Sequence, residues 1–269
     1  MGGAQASTLP REEDLYDYPW DKSNKKSIQI DLAKFKELDA YAQKVNVRNS
    51  VENLVSVLLK KAHGDLEKVR AIWMWICHHI EYDVEGCYNL GKVSFKPADV
   101  LQSGKAICGG YARLFQEMCS IAGIQCEYLR GISKIKGKSS HAWNAVRVDG
   151  RWHLLDCTWG SGTVDAAVGK FTFRYDEFYF LTHPALFIKE HFPDDPKWQL
   201  LRQTVTLEEF AQQHDLDLNT PGLTIAFIRT STTENGYFLA RLVLIISTSQ
   251  LILNVQLLKQ TSAPAAART

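Results

Sequence analysis

Residues 103–112 read SGKAICGGYA, and Cys108 lies at the centre of this stretch. The glycines followed by a helix-forming run predict a loop that enters a helix at the cysteine. The first-turn N–H groups and the dipole of a helix favour a thiolate, so a helix start is where proteins activate a thiol. We therefore expect Cys108 to be the nucleophile of a thiol enzyme.

The residues after Cys108 predict a long amphipathic helix. Apolar side chains recur at steps of three and four residues, at Ile107, Tyr111, Leu114, Met118 and Ile121. Such a stripe packs one face of a helix against the core. Cys108 is adjacent to the stripe, so we expect it to be held rigidly while its sulfur faces a cleft.

Two apolar-rich runs follow, HAWNAVRV at 141–148 and RWHLLDCTW at 151–159, joined by Asp-Gly. A two-residue Asp-Gly link predicts a β-hairpin with a type I′ turn. This turn sets a register in which Val148 faces Arg151 and Val146 faces His153. Continued further, the same register would place Trp143 opposite Asp156 and His141 opposite Thr158.

This register selects one histidine. Side chains alternate between the faces of a strand, so His141 and Asp156 share a face as diagonal neighbours, with Cα atoms about 7–8 Å apart. His153 falls on the opposite face. A one-residue slip would reverse the choice. We expect His141, and not His153, to be the partner of Asp156.

The three residues then have the roles of a catalytic triad. Cys108 would attack as a thiolate, His141 would accept and later deliver the proton, and Asp156 would orient the imidazole. A thioester would form, to be resolved by water or by an amine. The backbone N–H of Cys108 and the side-chain amide of Gln102 are candidate oxyanion donors, although Gln102 is equally consistent with an exposed helix residue.

Composition narrows the class of protein. The chain has 269 residues, a formal net charge of +1 and six cysteines without a C-x-x-C pair. These features favour a soluble protein with reduced thiols, and they favour neither a nucleic-acid partner nor a metal site. Nothing in the sequence calls for a cofactor. The N-terminus lacks the pattern of a secretory signal.

We divide the chain into four parts. Residues 1–27 are expected to be a flexible arm, favoured as disordered, with docking of Tyr16, Tyr18 and Trp20 on the domain as the alternative. Residues 28–202 are the enzyme domain, 203–260 a linker plus an incomplete β-rich module, and 261–269 a disordered tail. Residues 237–258 are apolar, but an arginine and a polar STSQ run favour strands over a membrane-spanning helix. His183 and His191 are interpreted as structural.

The sequence resembles the transglutaminase-like superfamily of papain-fold thiol enzymes, and within it the kyphoscoliosis-type peptidases. Four segments carry the resemblance: IWMWICHHIEYD at 72–83, LQSGKAICGGYARLFQEMCSIAGI at 101–124, HAWNAVRVDGRWHLLDCTWG at 141–160 and FYFLTHPALFIKEHFP at 178–193. It implies an α+β fold, a papain-like transglutaminase core in which the nucleophile helix packs on an antiparallel sheet. It also implies that Cys108, His141 and Asp156 are the triad.

The resemblance further implies a cytoplasmic, cytoskeleton-associated protein, at the Z-disc if it is expressed in muscle. Actin crosslinkers of the filamin type are the implied partners, and a protein is the implied substrate. Members of the family continue into β-rich repeats, whereas this sequence offers about three strands after residue 202. We expect a thiol peptidase. A catalytically weak scaffold and a protein-crosslinking transglutaminase remain as alternatives, the latter without a calcium-loop pattern.

Overall fold

The N-terminal half of the domain is helical. A computed structural model describes residues 9–17, 30–134, 139–165 and 169–213. Its helices up to the predicted nucleophile are α1 (Lys36–Ala42), α2 (Val51–Leu58), α3 (Asp65–His79), α4 (Val84–Tyr88), α5 (Pro97–Ser103) and α6 (Cys108–Ile121). Shorter helices follow later in the chain: α7 (Cys157–Ser161), α8 (Pro184–Phe187) and α9 (Leu207–Gln212).

An antiparallel sheet forms the other half of the domain. It contains β3 (Cys126–Ser133), β4 (Ser139–Val148), β5 (Arg151–Leu155) and β8 (His191–Pro193), in the order β5-β4-β3-β8. Two small ribbons complete the described strands: β1 (Glu81–Tyr82) with β2 (Lys105–Ala106), and β6 (Gly162–Asp165) with β7 (Lys170–Phe173). Since α6 packs on β3 and β4, the predicted arrangement of nucleophile helix on antiparallel sheet is confirmed.

Helix α6 begins at Cys108, as the sequence predicts. Its N-cap, Ile107, has an extended backbone, and Tyr111, Leu114 and Met118 are fully buried. Ile121, predicted to share that stripe, is exposed instead because it is the last helical residue. The helix is thus anchored along most of its length, with the cysteine at its fixed end.

The hairpin has the predicted register where it is paired. Val148 faces Arg151 and Val146 faces His153, and the turn residues Asp149 and Gly150 both have positive φ, at 49° and 80°, as a type I′ turn requires. The pairing stops at Asn144 and Leu155. The register therefore holds over the strands and ends one residue before Asp156.

The predicted strand pairing of His141 with Thr158 is wrong. Asp156 is the N-cap of α7, and its side chain accepts hydrogen bonds from the backbone N–H groups of Thr158 and Trp159. A capping carboxylate offers the backbone an alternative to a strand ladder. The chain therefore turns into a helix at the point where the expected strand would have continued.

The described part of the N-terminal segment is docked on the domain rather than free. Tyr16 is buried and its N–H donates to the carbonyl of Leu200. Asp14, also buried, accepts a hydrogen bond from the backbone N–H of Trp152 at the outer edge of β5. The core also continues past residue 202, since Phe210 of α9 is fully buried beside Tyr16.

The β-rich module and the tail expected after the domain lie outside the described residues, which end at 213. Among the helices that the structure describes, none has the length and hydrophobicity of a membrane-spanning segment.

Candidate active site

Asp156 is the centre of the site. Its side chain is fully buried, and Oδ1 accepts hydrogen bonds from the N–H groups of Thr158 at 2.8 Å and Trp159 at 3.2 Å. Oδ2 lies 2.6 Å from Nε2 of His141 and 2.8 Å from Nε2 of His191. Burial alone would raise the pKa of Asp156, but the charge and hydrogen bond of His141, with a hydrogen bond from His191, hold it well below its usual value. The carboxylate is therefore a buried anion with four donors.

His141 links this anion to the cysteine. Its Nε2 is occupied by Asp156, and Cys108 interacts with the same imidazole closely enough to raise its pKa. Burial lowers the pKa of His141, but the charge and hydrogen bond of Asp156, together with the contact to Cys108, outweigh it and raise the pKa to about 10. At neutral pH the ring is thus an imidazolium placed between a carboxylate and a thiol.

Cys108 differs in setting from a buried cysteine such as Cys157. Cys108 is half-buried at the first position of α6, in contact with His141. Burial raises the pKa of the Cys157 thiol well above its usual value, so that thiol stays protonated. Of these two thiols, Cys108 is therefore the one that lies beside the Asp156-paired imidazole.

Close packing explains why a glycine, Gly109, follows the predicted nucleophile. A Cβ at Gly109 would lie 2.8 Å from the ring of Phe95, well inside van der Waals contact. The same Cβ would lie 3.4 Å from the hydroxyl of Tyr128. The backbone next to Cys108 therefore approaches its surroundings more closely than any other residue would allow.

Two tyrosines lie near the thiol. Burial raises the pKa of Tyr128, and the neighbouring Cys108 raises it further. The pKa of Tyr82 is raised by burial first and then by Cys108. Both hydroxyls stay protonated at neutral pH and keep their ability to donate hydrogen bonds. Neither tyrosine is predicted from the sequence to be a site residue.

The two predicted oxyanion donors have different settings. Gln102 is exposed on α5, and no described hydrogen bond joins it to Cys108 or His141, which fits the alternative of an exposed helix residue. The N–H of Cys108 precedes the first intrahelical donors, Gly110 and Tyr111, which bond to the carbonyl of Ile107. Early N–H groups of a helix have no intrahelical acceptor, so the Cys108 N–H can serve as an oxyanion donor.

His191 is the site residue that the sequence reasoning missed. The sequence predicts a structural role for it, yet it is buried and bonds to the same carboxylate oxygen as His141. Its strand, β8, has three residues and pairs with β3 at Ser133. A short strand paired across such a long stretch of chain leaves no local signal in the sequence.

The sequence around this site matches a known protein family. The family model of the transglutaminase-like superfamily matches residues 52–157. This chain carries a transglutaminase-like domain. The matched range includes the predicted nucleophile, base and carboxylate, and it ends before His191.

Two relatives are similar in sequence to this chain over most of its length. Kyphoscoliosis peptidase of Mus musculus is 50% identical over 252 residues, which cover 88% of this chain and 38% of that protein. Hillarin of Drosophila melanogaster is 31% identical over 215 residues, covering 70% of this chain and 25% of hillarin. This chain therefore spans well under half the length of these relatives. A solved structure described as a TGase overlaps 58% of this chain and 39% of its own, at 18% identity and a TM-score of 0.34.

The transglutaminase-like domain keeps its other hairpin histidine away from the site. His153 is buried, and burial, followed by the charge of Arg151, lowers its pKa to about 4. No described hydrogen bond joins it to Asp156. Of the two histidines that the hairpin offers, the structure brings His141 to Asp156, as the register predicts.

One group of side chains in the domain has the composition of a metal site. The ligand atoms of His141, Asp156 and His191 lie within 4.8 Å of one another. The two Nε2···Oδ2 distances are those of direct hydrogen bonds. A zinc ion with bonds of about 2.0–2.1 Å would have to separate these atoms, so the arrangement fits a hydrogen-bonded cluster better than a metal centre.

Proposed function

We propose that this protein is a cysteine-dependent acyl-transfer enzyme, a thiol peptidase that acts on protein substrates through a thioester on Cys108. The observation that carries the proposal is the buried 2.6 Å contact between His141 and Asp156, made by an imidazole whose pKa is also raised by Cys108. A peptidase-named relative at 50% identity supports the reaction class.

In the first half of the reaction, the Cys108 thiolate attacks the carbonyl carbon of the scissile amide. The N–H of Cys108 stabilises the negative oxygen of the tetrahedral intermediate. His141 Nδ1–H gives its proton to the leaving amine as the C–N bond breaks, and a thioester remains. The charge of Asp156 stabilises the imidazolium that precedes this transfer.

In the second half, the now neutral His141 accepts a proton from water, and the hydroxide attacks the thioester. The C–S bond breaks, the acid product leaves and the thiolate–imidazolium pair is restored. If a lysine amine replaces water, the same intermediate yields a crosslink. Both outcomes require the same three residues, so the acyl acceptor separates hydrolysis from transamidation.

The test follows both outcomes at once. The full chain is incubated with a denatured protein pool and a labelled primary amine, and mass spectrometry records new N-termini and amine incorporation. We expect new N-termini with the native chain and none with Cys108→Ala. Cys87→Ser is the matched control, because Cys87 is also a half-buried free cysteine.

Three results would change the assignment. Amine incorporation that depends on Cys108 would favour a transglutaminase. Absence of both products would favour a scaffold. New N-termini that persist in Cys108→Ala would contradict the proposed nucleophile.

We extend the proposal to a cytoplasmic, cytoskeleton-associated setting, with filamin-type actin crosslinkers as partners. The sequence resemblance to kyphoscoliosis-type peptidases supports this setting. The Cys108→Ala variant should retain purified filamin in a pull-down, since it keeps the substrate surface without turnover. Failure of both Cys108→Ala and the native chain to retain filamin would contradict this partner.

A further inference from the structure

We propose that His191 is a positioning residue of the site: a neutral imidazole that shares Oδ2 of Asp156 with His141 and limits how strongly Asp156 stabilises the imidazolium. The inference rests on the proposed function only in taking Cys108 and His141 as the working pair. It adds to the triad a second histidine, which lies outside the residues matched by the family model.

The position of His191 is fixed from several sides. Its ring stacks on Phe187, with centroids 4.1 Å apart and an interplanar angle of 19°. Trp143 and Trp159 contact it at centroid distances of 5.0 and 4.5 Å. Its Nε2 lies 2.8 Å from Asp156. The ring has little freedom to leave this hydrogen bond.

The surroundings also fix its charge. Nδ1 of His191 is buried and has no hydrogen-bond partner among the described residues. A protonated ring would bury an unpaired N–H together with a charge beside the imidazolium of His141, which is strongly unfavourable. The neutral tautomer with its proton on Nε2 avoids this and donates to Asp156. Burial lowers the pKa of His191, in the same direction.

The two histidines that share Oδ2 of Asp156 therefore differ in charge: His141 is an imidazolium and His191 is neutral. Oδ1 of Asp156 is occupied by the backbone N–H groups of Thr158 and Trp159, so Oδ2 alone serves both rings. A second donor on an anion disperses its charge and weakens its attraction for the first. Removal of the His191 donor leaves His141 as the one side-chain donor on Oδ2, and the imidazolium becomes more stable.

Other charged groups lie near the pair. Glu190, next to His191, forms an ion pair with Lys134 and accepts a hydrogen bond from the Tyr179 hydroxyl at 2.8 Å. Cys108 contacts His141 from α6. A substitution at His191 leaves all four groups in place, so a comparison of variants isolates the effect of the donor.

The test is ¹⁵N NMR of imidazole-labelled protein, which reports protonation at each ring nitrogen. In the native chain we expect His191 to stay neutral, with its proton on Nε2, from pH 5.5 to 9. In His191→Met the alkaline titration midpoint of His141 should rise by roughly one pH unit, the size expected for a lost hydrogen bond to a charged group.

Two variants serve as controls. His191→Gln restores an N–H donor near the position of Nε2, so its His141 midpoint should stay close to the native one. His153→Met removes another buried histidine of the same sheet and should leave the midpoint unchanged. A residue with a merely structural role would lower stability in His191→Met without moving this midpoint.

The proposal is overturned if the native His191 is protonated at neutral pH, a result that needs no variant to fold. It is also overturned if His191→Met leaves the His141 midpoint unchanged or lowers it, or if His191→Gln moves it as far as His191→Met. These titrations need no substrate. Failure of the proposed function, seen as turnover that persists in Cys108→Ala, is a separate result.

Discussion

Replacement of Asp156 by asparagine should separate the charge of the site from its shape. The carboxylate has donors on both oxygens, two backbone N–H groups on Oδ1 and two imidazoles on Oδ2. An amide has one acceptor oxygen and one donor nitrogen. The amide N–H of the asparagine must therefore face either the backbone N–H groups or the imidazole N–H groups, where both partners are donors. The asparagine also provides no negative charge for the imidazolium of His141.

The size of the effect follows from the charge state of the thiol. Although burial lowers the pKa of His141, Asp156 raises it to about 10, and the proposed mechanism pairs this imidazolium with a thiolate at Cys108. A free thiol with a pKa of about 8.5 is only about 1% thiolate at pH 6.5. We therefore expect Asp156→Asn to slow alkylation of Cys108 at pH 6.5 by up to about 100-fold.

The assay is the rate of iodoacetamide modification of Cys108, followed by mass spectrometry of its tryptic peptide from pH 5 to 10. The difference between native chain and variant should shrink above pH 9, where a free thiol ionises without help. Asp65→Asn, at an exposed carboxylate in the first turn of α3, is the matched control. Equal rates for native chain and Asp156→Asn at pH 6.5 would refute the ion-pair reasoning.

Three further predictions concern stability. The raised pKa of His141 means that its contribution to stability is fully present below about pH 6.5 and is lost as pH rises through 10. In the proposed thiolate–imidazolium pair, the ionised thiol offsets this loss until a free thiol also ionises, at about pH 8.5, so the free energy of unfolding should fall by at most about 1.4 kcal/mol per pH unit between about pH 8.5 and 10. Urea denaturation at pH 8.5, 9 and 9.5 should show this slope reduced in His141→Gln, and equal slopes would contradict it. A Cβ at Gly160 would lie 2.2 Å from the Trp73 ring, so Gly160→Ala should lower the free energy of unfolding by about 1–3 kcal/mol, whereas Gly91→Ala, with its nearest neighbour at 3.8 Å, should not. Asp14→Ala leaves the backbone N–H of Trp152 in β5 without its buried acceptor, so the free energy of unfolding should fall by about 1–3 kcal/mol. Hydrogen exchange at the Trp152 amide should become faster, and unchanged exchange would argue against docking of the N-terminal segment.

Local signals in the sequence predicted much of this site. The Asp-Gly turn fixes the hairpin register, and the register identifies His141 as the partner of Asp156. The apolar stripe after Cys108 places the cysteine at a helix start. Each of these features depends on residues that are close together in the chain, where turn chemistry and periodicity decide the structure.

The remaining features depend on competition or on distant contacts. Asp156 caps α7 and ends the strand, and a strand pattern alone does not reveal that a carboxylate will bond to the N–H groups after it. His191 reaches the site through a three-residue strand whose pairing is set by the tertiary fold. The docking of Tyr16 likewise depends on a segment near residue 200. In these cases, burial and long-range hydrogen bonds determine what local propensity leaves open.

Acylation by p-nitrophenyl acetate tests the central claim most directly, because this ester donates an acyl group to an activated thiol without a specific substrate. We predict a burst of p-nitrophenol equal to the amount of protein, with a hydroxylamine-sensitive acetyl group on the Cys108 peptide. Acetylation confined to lysines, or a burst that persists unchanged in Cys108→Ala, would contradict the account of Cys108 as an acyl-accepting nucleophile.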